Sequence, residues 1–405
     1  MPRAVSPLGL IVLLCLCEVL TTLDAFAFAS LLPDFGRLWQ LSAIELGWIS
    51  GIFFAGYTLA VPVLVSLTDR VDARPIYMVG AAVIACAACG FALFAEGFWT
   101  ALLFRFFAGV GFAGTYMPGL RVLIDRYEGS NQSRAIAAYT ACFSLGVASS
   151  YLAAGLVQTH FDWRVVFWMT GVAAAVSLLL VAIVLRPIKP VPPETTTHLL
   201  DFRPVLRNRV VMGYVLGYGV HAWELLGLRA WIVAFLVFGS QASGNGDGLA
   251  PTQAAALGAI LAVIASMTGG ELASRFGRRR VITIIMFVSA AMACGVGFTA
   301  GLPYGWVVAF TMVYVFAVQG ESAALTTGTV QAAPKGRQGA TLAVHSISGF
   351  TGGFFGPLVF GIVLDLTGRA ETSTSWGYAF LSLGIAVALG PLFLIMTGDR
   401  KPRRS

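Results

Sequence analysis

Charge is what this chain has least of. Charged residues fill only 11% of 405 positions, hydrophobic types fill 58%, and the mean hydropathy is +0.82. So few polar side chains cannot clothe a soluble globule of this size, so a water-soluble fold is excluded. The groups that do covalent or metal chemistry are scarce too. All six cysteines, Cys15, Cys17, Cys86, Cys89, Cys142 and Cys294, lie in apolar stretches, where a thiol packs as a small hydrophobe. No histidine pair joins Cys86 and Cys89 to complete a metal set. The chain also has no phosphate-cradling P-loop and no Ser or Cys with a paired base at depth. An enzyme is therefore not expected, nor any cofactor or metal. Long polar tails and an added soluble region are likewise missing, which counts against a non-transporting membrane receptor.

What fills the chain instead is oil in lengths that fit a bilayer. Crossing about 30 Å of hydrocarbon takes roughly 20 helical residues, because in lipid every backbone N–H and C=O must be paired within the span. Twelve such stretches can be drawn, at 8–32, 46–67, 76–94, 100–124, 135–157 and 165–185, then 210–238, 252–272, 281–299, 304–330, 341–366 and 376–397. The fold class expected is all-α integral membrane. The start also resembles a signal peptide, with Arg3, an apolar run, then Ala25, Ala27 and Ala29. Glu18 and Asp24 would interrupt its apolar region, and cleavage would leave eleven spans, so that reading is set aside.

One long polar stretch divides the chain, 186–207, between a first half at 1–185 and a second at 208–398, with a basic tail at 399–405. Prolines at 187, 190, 192 and 193 keep its beginning extended, and a short surface helix over 199–209 would hold Pro204 in its first turn. With the N-terminus inside, only Arg37, Arg164 and Arg369 fall outside, Arg105 and Arg229 lie within spans, and every other Lys and Arg collects on the inner face. That split follows the positive-inside rule, so both termini are expected in the cytoplasm. The net charge of +7 then reports topology, and no nucleic-acid partner is implied. The sequon at Asn131 falls on the inner side and should be silent.

The chain is also doubled. VSLTDRVDAR at Val65–Arg74 returns half a chain length later as GELASRFGRR at Gly270–Arg279. Each copy follows an apolar stretch, carries Arg at its sixth and tenth positions, and precedes another apolar stretch. Together with six spans, a connector and six more, these hairpins resemble the major facilitator superfamily over the whole length. Its loop signature is approximately Gly-x-x-x-Asp-Arg-x-Gly-Arg-Arg. The first copy keeps Asp69, Arg70 and Arg74 but has Val65 and Asp72 where glycines are usual. The second keeps Gly270, Arg275, Gly277, Arg278 and Arg279 but has Ser274 for the acid. RFFAGVGFA with Arg105, Gly109, Gly111 and Ala113, Asp24 followed by Leu32 and Pro33, and Trp163 with Arg164 add to the likeness. The resemblance implies two six-helix bundles related by a pseudo-twofold axis, rocking as a monomer about a central site for one small molecule. In drug–proton exporters of the family a Gly-Pro motif is common on the fifth span. Its absence beside Gly146 and Gly155 leans toward uptake, while the Asp24-to-Pro33 pattern leans toward export. Gly349, Gly352, Gly353, Gly356, Pro357 and Gly361 crowd the eleventh span and allow close helix approach and a kink.

Ionisable groups within spans cost about 2.5–3.5 kcal/mol each on insertion scales, so they are functional candidates by default. They are Glu18, Asp24, Arg105, His221, Glu224, Arg229, Glu321 and His345, with Asp365 near an outer end. His221 and Glu224, three residues apart, share a helix face and should hydrogen-bond. With Glu18 and Asp24 they are the expected proton-coupling groups, since low dielectric penalises a charged carboxylate and imidazole exchanges protons near neutrality. The half-chain offset sets Glu18 beside Glu224 and Asp24 at Arg229, which suggests acids facing each other across the cavity. Arg105 and Arg229 are suited to grip a carboxylate or other oxyanion, with Glu321 and Trp223 as further substrate-binding candidates. The alternative is internal pairing of Arg105 with Asp24 and of Arg229 with Glu224 or Glu321. At the hairpins, Asp69 should accept from Arg70 or Arg74, or cap a neighbouring helix, forming with Arg275, Arg278 and Arg279 a cytoplasmic gate; the plainer role of those arginines is to fix topology. The expectation is a secondary transporter moving a small organic or inorganic anion with protons across a bacterial inner membrane, in contact with membrane lipid. An exporter of drugs or amphipathic metabolites is the alternative. A cysteine introduced at Thr196 should resist an impermeant maleimide added to intact cells and react once they are permeabilised; labelling from outside would invert the topology.

Overall fold

The computed structural model describes residues 6–128, 131–189, 201–244, 248–334, 337–368 and 370–396, most of them helical, with no strand among the described residues. The first half comprises α1 (Pro7–Thr22), two short pieces α2 (Ala27–Ser30) and α3 (Leu32–Leu38), then α4 (Ala43–Leu67), α5 (Ala73–Phe94), α6 (Phe98–Arg126), α7 (Gln132–Gln158) and α8 (Trp163–Val184). A single-turn helix, α9 (Arg203–Leu206), lies in the connector. The second half comprises α10 (Arg209–Ala242), α11 (Pro251–Phe276), α12 (Arg278–Val296), α13 (Tyr304–Gln319), α14 (Ser322–Ala332), α15 (Gln338–Leu366), α16 (Ser373–Ala388) and α17 (Gly390–Ile395). The proline-rich part of the connector and the basic tail lie outside the described residues.

Eleven helical spans among the described residues are long and apolar enough to cross a membrane, and α1 is a shorter apolar helix. The first stretch is therefore not the single helix expected over 8–32. It stops at Thr22, passes through Leu23–Phe26 without helical continuity, and resumes in α2 and α3. The hydroxyls of Thr21 and Thr22 bond back to the carbonyls of Cys17 and Glu18 in the last turn before the break, a pattern that loosens helices. The tenth span is also broken, between α13 and α14 at Gly320 and Glu321, and the twelfth at Leu389. The prolines at 204 and 357 both lie within helices. Pro204 opens α9, a shorter helix than the one drawn over 199–209, and Pro357 sits inside α15, where its carbonyl accepts from the Trp231 indole at 3.0 Å.

The helices of each half pack on one another, and the halves meet along two seams, α4 on α15 and α7 on α11. For orientation, the end carrying the Arg-rich hairpins Leu67–Ala73 and Phe276–Arg278 is called the basic end. Contacts between the halves concentrate toward the other end. A Cβ on Gly51 would sit 2.5 Å from the Phe354 carbonyl oxygen, and one on Gly47 2.6 Å from that of Pro357, so these helices touch backbone to backbone, as small residues permit in a membrane. Nearer mid-depth, Phe350 lies against Tyr57 with ring centres 3.8 Å apart. Beside the second seam, the Tyr151 hydroxyl of α7 donates to the Arg229 carbonyl of α10 at 2.6 Å. Gly51→Ala should overpack the first seam at a cost of about 1–3 kcal/mol and lower the melting temperature of the detergent-purified protein. An unchanged melting curve would mean the helices are free to separate there.

Candidate substrate site and gates

The break in the first span is filled by Arg105 of α6. Its Nη1 donates to the Asp24 carbonyl at 2.9 Å and to Asp24 Oδ2 at 2.8 Å, and its Nη2 donates to the Ala25 carbonyl at 2.8 Å. Thr170 of α8 donates to Asp24 Oδ1 at 3.2 Å, and Ser150 of α7 donates to the Leu23 carbonyl at 2.6 Å. The guanidinium also covers the Phe53 ring at 4.6 Å. The Leu23, Asp24 and Ala25 carbonyls at the break thus each have a side-chain donor, as a non-helical turn at membrane depth requires. Both members of the ion pair are 2% exposed.

Glu18, one turn before the break, accepts from Tyr139 of α7 at 2.8 Å and from Thr22 at 3.3 Å. In the second half, Glu224 accepts from Ser289 of α12 at 2.6 Å and Tyr314 of α13 at 2.9 Å, both through Oε1. Each acid is thus anchored inside its own half and does not face the other as the half-chain offset suggested. His221 and Glu224 do not bond either. Nδ1 of His221 instead meets Oε1 of Glu321 at 3.1 Å, where the break between α13 and α14 brings that carboxylate inward. Oε2 of Glu224, Oε2 of Glu321 and Nε2 of His221 are buried with no hydrogen-bond partner among the described residues. His345 stacks on Tyr218 at 3.8 Å and lies within reach of the Thr326 and Thr329 hydroxyls. Trp223 stacks on Phe355 of its own half.

Arg229 is different. It is 7% exposed, its guanidinium lies 5.8 Å from the Phe26 ring and 5.7 Å from the Phe143 ring of the opposite half, and no carboxylate among the described residues lies within ion-pair distance of it. Pairing with Glu224 fails for a simple reason: five residues on one helix are about 140° apart around its axis. Glu321 is held by His221. The alternative of internal pairing thus describes Arg105 and does not describe Arg229. Beside Arg229, between α10 and α11, runs a narrow slot walled by Tyr151, Leu228, Gly258, Ala262 and Val315.

Residues 14–253 and 245–405 match the Major Facilitator Superfamily. The chain belongs to that family. It is a multi-pass membrane protein. Among curated proteins it is 26% identical over 239 residues to human protein spinster homolog 1, covering 56% of this chain and 45% of that protein. It is 28% identical over 189 residues to a probable sphingolipid transporter, spinster homolog 3, of Arabidopsis thaliana, covering 42% and 36%. The match thus spans less than half the length of these relatives. Its fold is similar to that of a bacterial homolog of the human lysosomal transporter Spinster, solved inward-facing and occupied, with TM-score 0.70 at 17% identity over 96% of this chain and 94% of that one. It is also similar to the nucleoside transporter NupG, with TM-score 0.77 at 14% identity over 96% and 99%.

In this family member the two hairpins differ for a visible reason. Gly277 adopts φ 93° between α11 and α12, a conformation that a side chain disfavours. The first copy instead turns on Asp72, an ordinary N-cap whose carboxylate accepts from the Arg74 backbone at 3.0 Å. Asp72 also takes Arg126 of α6 at 2.7 and 2.8 Å and the Ile188 N–H of the connector at 3.0 Å. Asp69 was the expected hub, but Arg121 is its partner, at 3.3 Å and largely exposed, while Arg74 donates to the Ala182 carbonyl at 2.8 Å and Arg70 points into solvent. In the second copy Arg275 pairs with Glu271, Arg278 donates to Gln331 at 2.7 Å, and Arg279 is half-buried.

Sequence reasoning missed Asp72 and Arg126, as it did Tyr139, Ser289 and Tyr314. Burial alone would raise the Asp72 carboxyl, but the hydrogen bonds from Arg126, Arg74 and Ile188 and the Arg126 charge outweigh it and hold the group below its usual range. The folded state then gains stability from Asp72 above the unfolded value of about 3.9, and loses it as pH falls through the lower folded value. Asp72→Asn should therefore melt below the wild type at pH 7, and the gap should close as the medium is acidified past about pH 4. A gap that stayed constant with pH would contradict this role.

Proposed function

We propose that this chain is a secondary active transporter for a small organic anion, coupled to protons and working by alternating access as a monomer in a bacterial inner membrane. One observation carries the reading: Arg229 lies between the halves without a carboxylate partner among the described residues, while Arg105 is paired with Asp24 at the broken span. A desolvated guanidinium ringed by Phe26 and Phe143 can hold an oxyanion through paired N–H donors and an apolar portion through the rings. Glu18, Glu224 and the His221–Glu321 pair are candidate proton carriers, because none of these carboxylates has an arginine or lysine to balance it among the described residues. If the basic end is cytoplasmic, the packed seams lie outside, and the state described is inward-facing. The second reading, export of amphipathic compounds, is favoured by the apolar slot beside Arg229 and by the sphingolipid named for the plant relative.

Purified protein in liposomes with an imposed pH gradient, offered a panel of charged and neutral solutes, tests this directly. Losing one charged hydrogen bond is worth about 1.5–3 kcal/mol, so Arg229→Gln should weaken anion affinity roughly 10- to 100-fold, with Arg229→Lys intermediate and neutral solutes unaffected. Anion affinity that survives Arg229→Gln sinks the reading. Glu224→Gln should stop uptake driven by the pH gradient while leaving exchange of substrate across the membrane intact.

A further inference from the structure

Asp365 ends α15 at the pole opposite the basic hairpins, and both its carboxylate oxygens are spent on the other half of the molecule. Oδ1 accepts from the Ala43 N–H at 3.1 Å and Oδ2 from the Ile44 N–H at 2.8 Å. These are the first two residues of α4, whose N–H groups have no acceptor within the helix. The local cap does not serve them: Ser42 accepts from the Glu45 N–H, and the Glu45 carboxylate returns to Ser42. The start of α4 is therefore fully satisfied only while α15 of the opposite half lies beside it. Charge adds to this, since a carboxylate is favoured at a helix N-terminus.

The bond lies at the junction of a tight helix seam and an open cavity. Directly below it the seam is at its tightest, with a Cβ on Gly361 lying 2.2 Å from the Ala43 carbonyl oxygen. Directly above it opens a cavity of about 820 Å³, lined by Arg37, Glu45, Trp231, Glu371 and Asp365 itself. Of the charged groups there, Arg37 is paired with Asp34 and Glu45 with Ser42. Solvent reaches the latch from one side, and only the helix seam separates it from the interior on the other. The basic end has no counterpart among the described residues: Asp72 caps α5 within its own half, and Asp69 pairs with Arg121 of that half.

We propose that Asp365 is a positioning residue for transport, a latch that holds this pole shut by capping α4 across the seam, and whose release accompanies opening toward that side. Its carboxylate sets the balance between the two conformations and takes no part in binding the solute. The prediction is independent of what the solute is and of whether Arg229 holds it.

Spin labels at Leu38 and Leu249, exposed positions in opposite halves at this pole, report the opening as a distance distribution in a cysteine-free background reconstituted in lipid nanodiscs. Asp365→Ala, and Asp365→Asn should the former not fold, should add a longer distance, raising the ratio of open to closed about tenfold, in keeping with the loss of a charged hydrogen bond. Asp365→Glu, which keeps the carboxylate, should restore the short distance. A folded variant that melts earlier yet shows the wild-type distribution overturns the proposal, as does an equal shift in all three variants.

Discussion

The structure depends on one guanidinium inside the hydrocarbon layer. A helix can break at membrane depth only where its freed carbonyls find donors, and Arg105 supplies three hydrogen bonds to Asp24 and Ala25 at the one place where the first span unwinds. The pair is fully desolvated, so removing either member would strand a buried charge, at a cost of about 3–5 kcal/mol. The break has consequences in space. It redirects the chain into α2 and α3, which lie against α10, and sets Phe26 over Arg229 and Phe35 among Trp39, Phe91 and Trp163. The aromatic packing at the closed pole thus starts from the ion pair that holds the break in the first span.

This ordering assigns the two buried arginines unlike work. Arg105 spends three Nη hydrogen bonds on the backbone turn and the Asp24 carboxylate, so it shapes the site, and its Nε is buried without a partner among the described residues. Arg229 is placed by a helix that runs unbroken for 34 residues, and it reaches across to rings of the other half. A rigid helix carrying an uncommitted cation and a broken one held by a committed cation meet at the same depth.

Much of this could be read from the sequence, and the limits are physical. The apolar stretches, the connector and the doubled hairpins follow from composition and spacing, because lipid imposes nearly the same rule on every span. The charged residues of the core were identifiable one by one, since a charge in oil has few innocent explanations. Their partners were not. Tyr139 lies 121 positions from Glu18, Tyr314 90 from Glu224 and Ser289 65 from it, and a hydroxyl in an apolar helix carries no mark of what it faces. Helical spacing joined His221 to Glu224 because it sees only one helix; a break elsewhere, at Gly320 and Glu321, supplied the competing carboxylate. Asp72 was visible as a departure from the loop signature. Its meaning lay in Arg126 and Ile188, which only the fold brings to it.

The two halves share a plan and differ in charge, and the difference bears on coupling. In the first half, Asp24 and Arg105 cancel, leaving Glu18 with hydroxyl partners alone. In the second, Glu224 and Glu321 share one side of α10 with His221, while Arg229 projects from another face toward the first half. A solute anion settling on Arg229 would neutralise the only unpaired buried cation among these core groups. Any carboxylate still ionised nearby would then lack a counter-charge in a medium where each uncompensated ion costs several kcal/mol. Taking up a proton with the anion removes that penalty, and releasing it restores the cation's grip. On the proposed reading, proton coupling would follow from having more buried acids than arginines, without any need for the proton and the solute to touch the same residue.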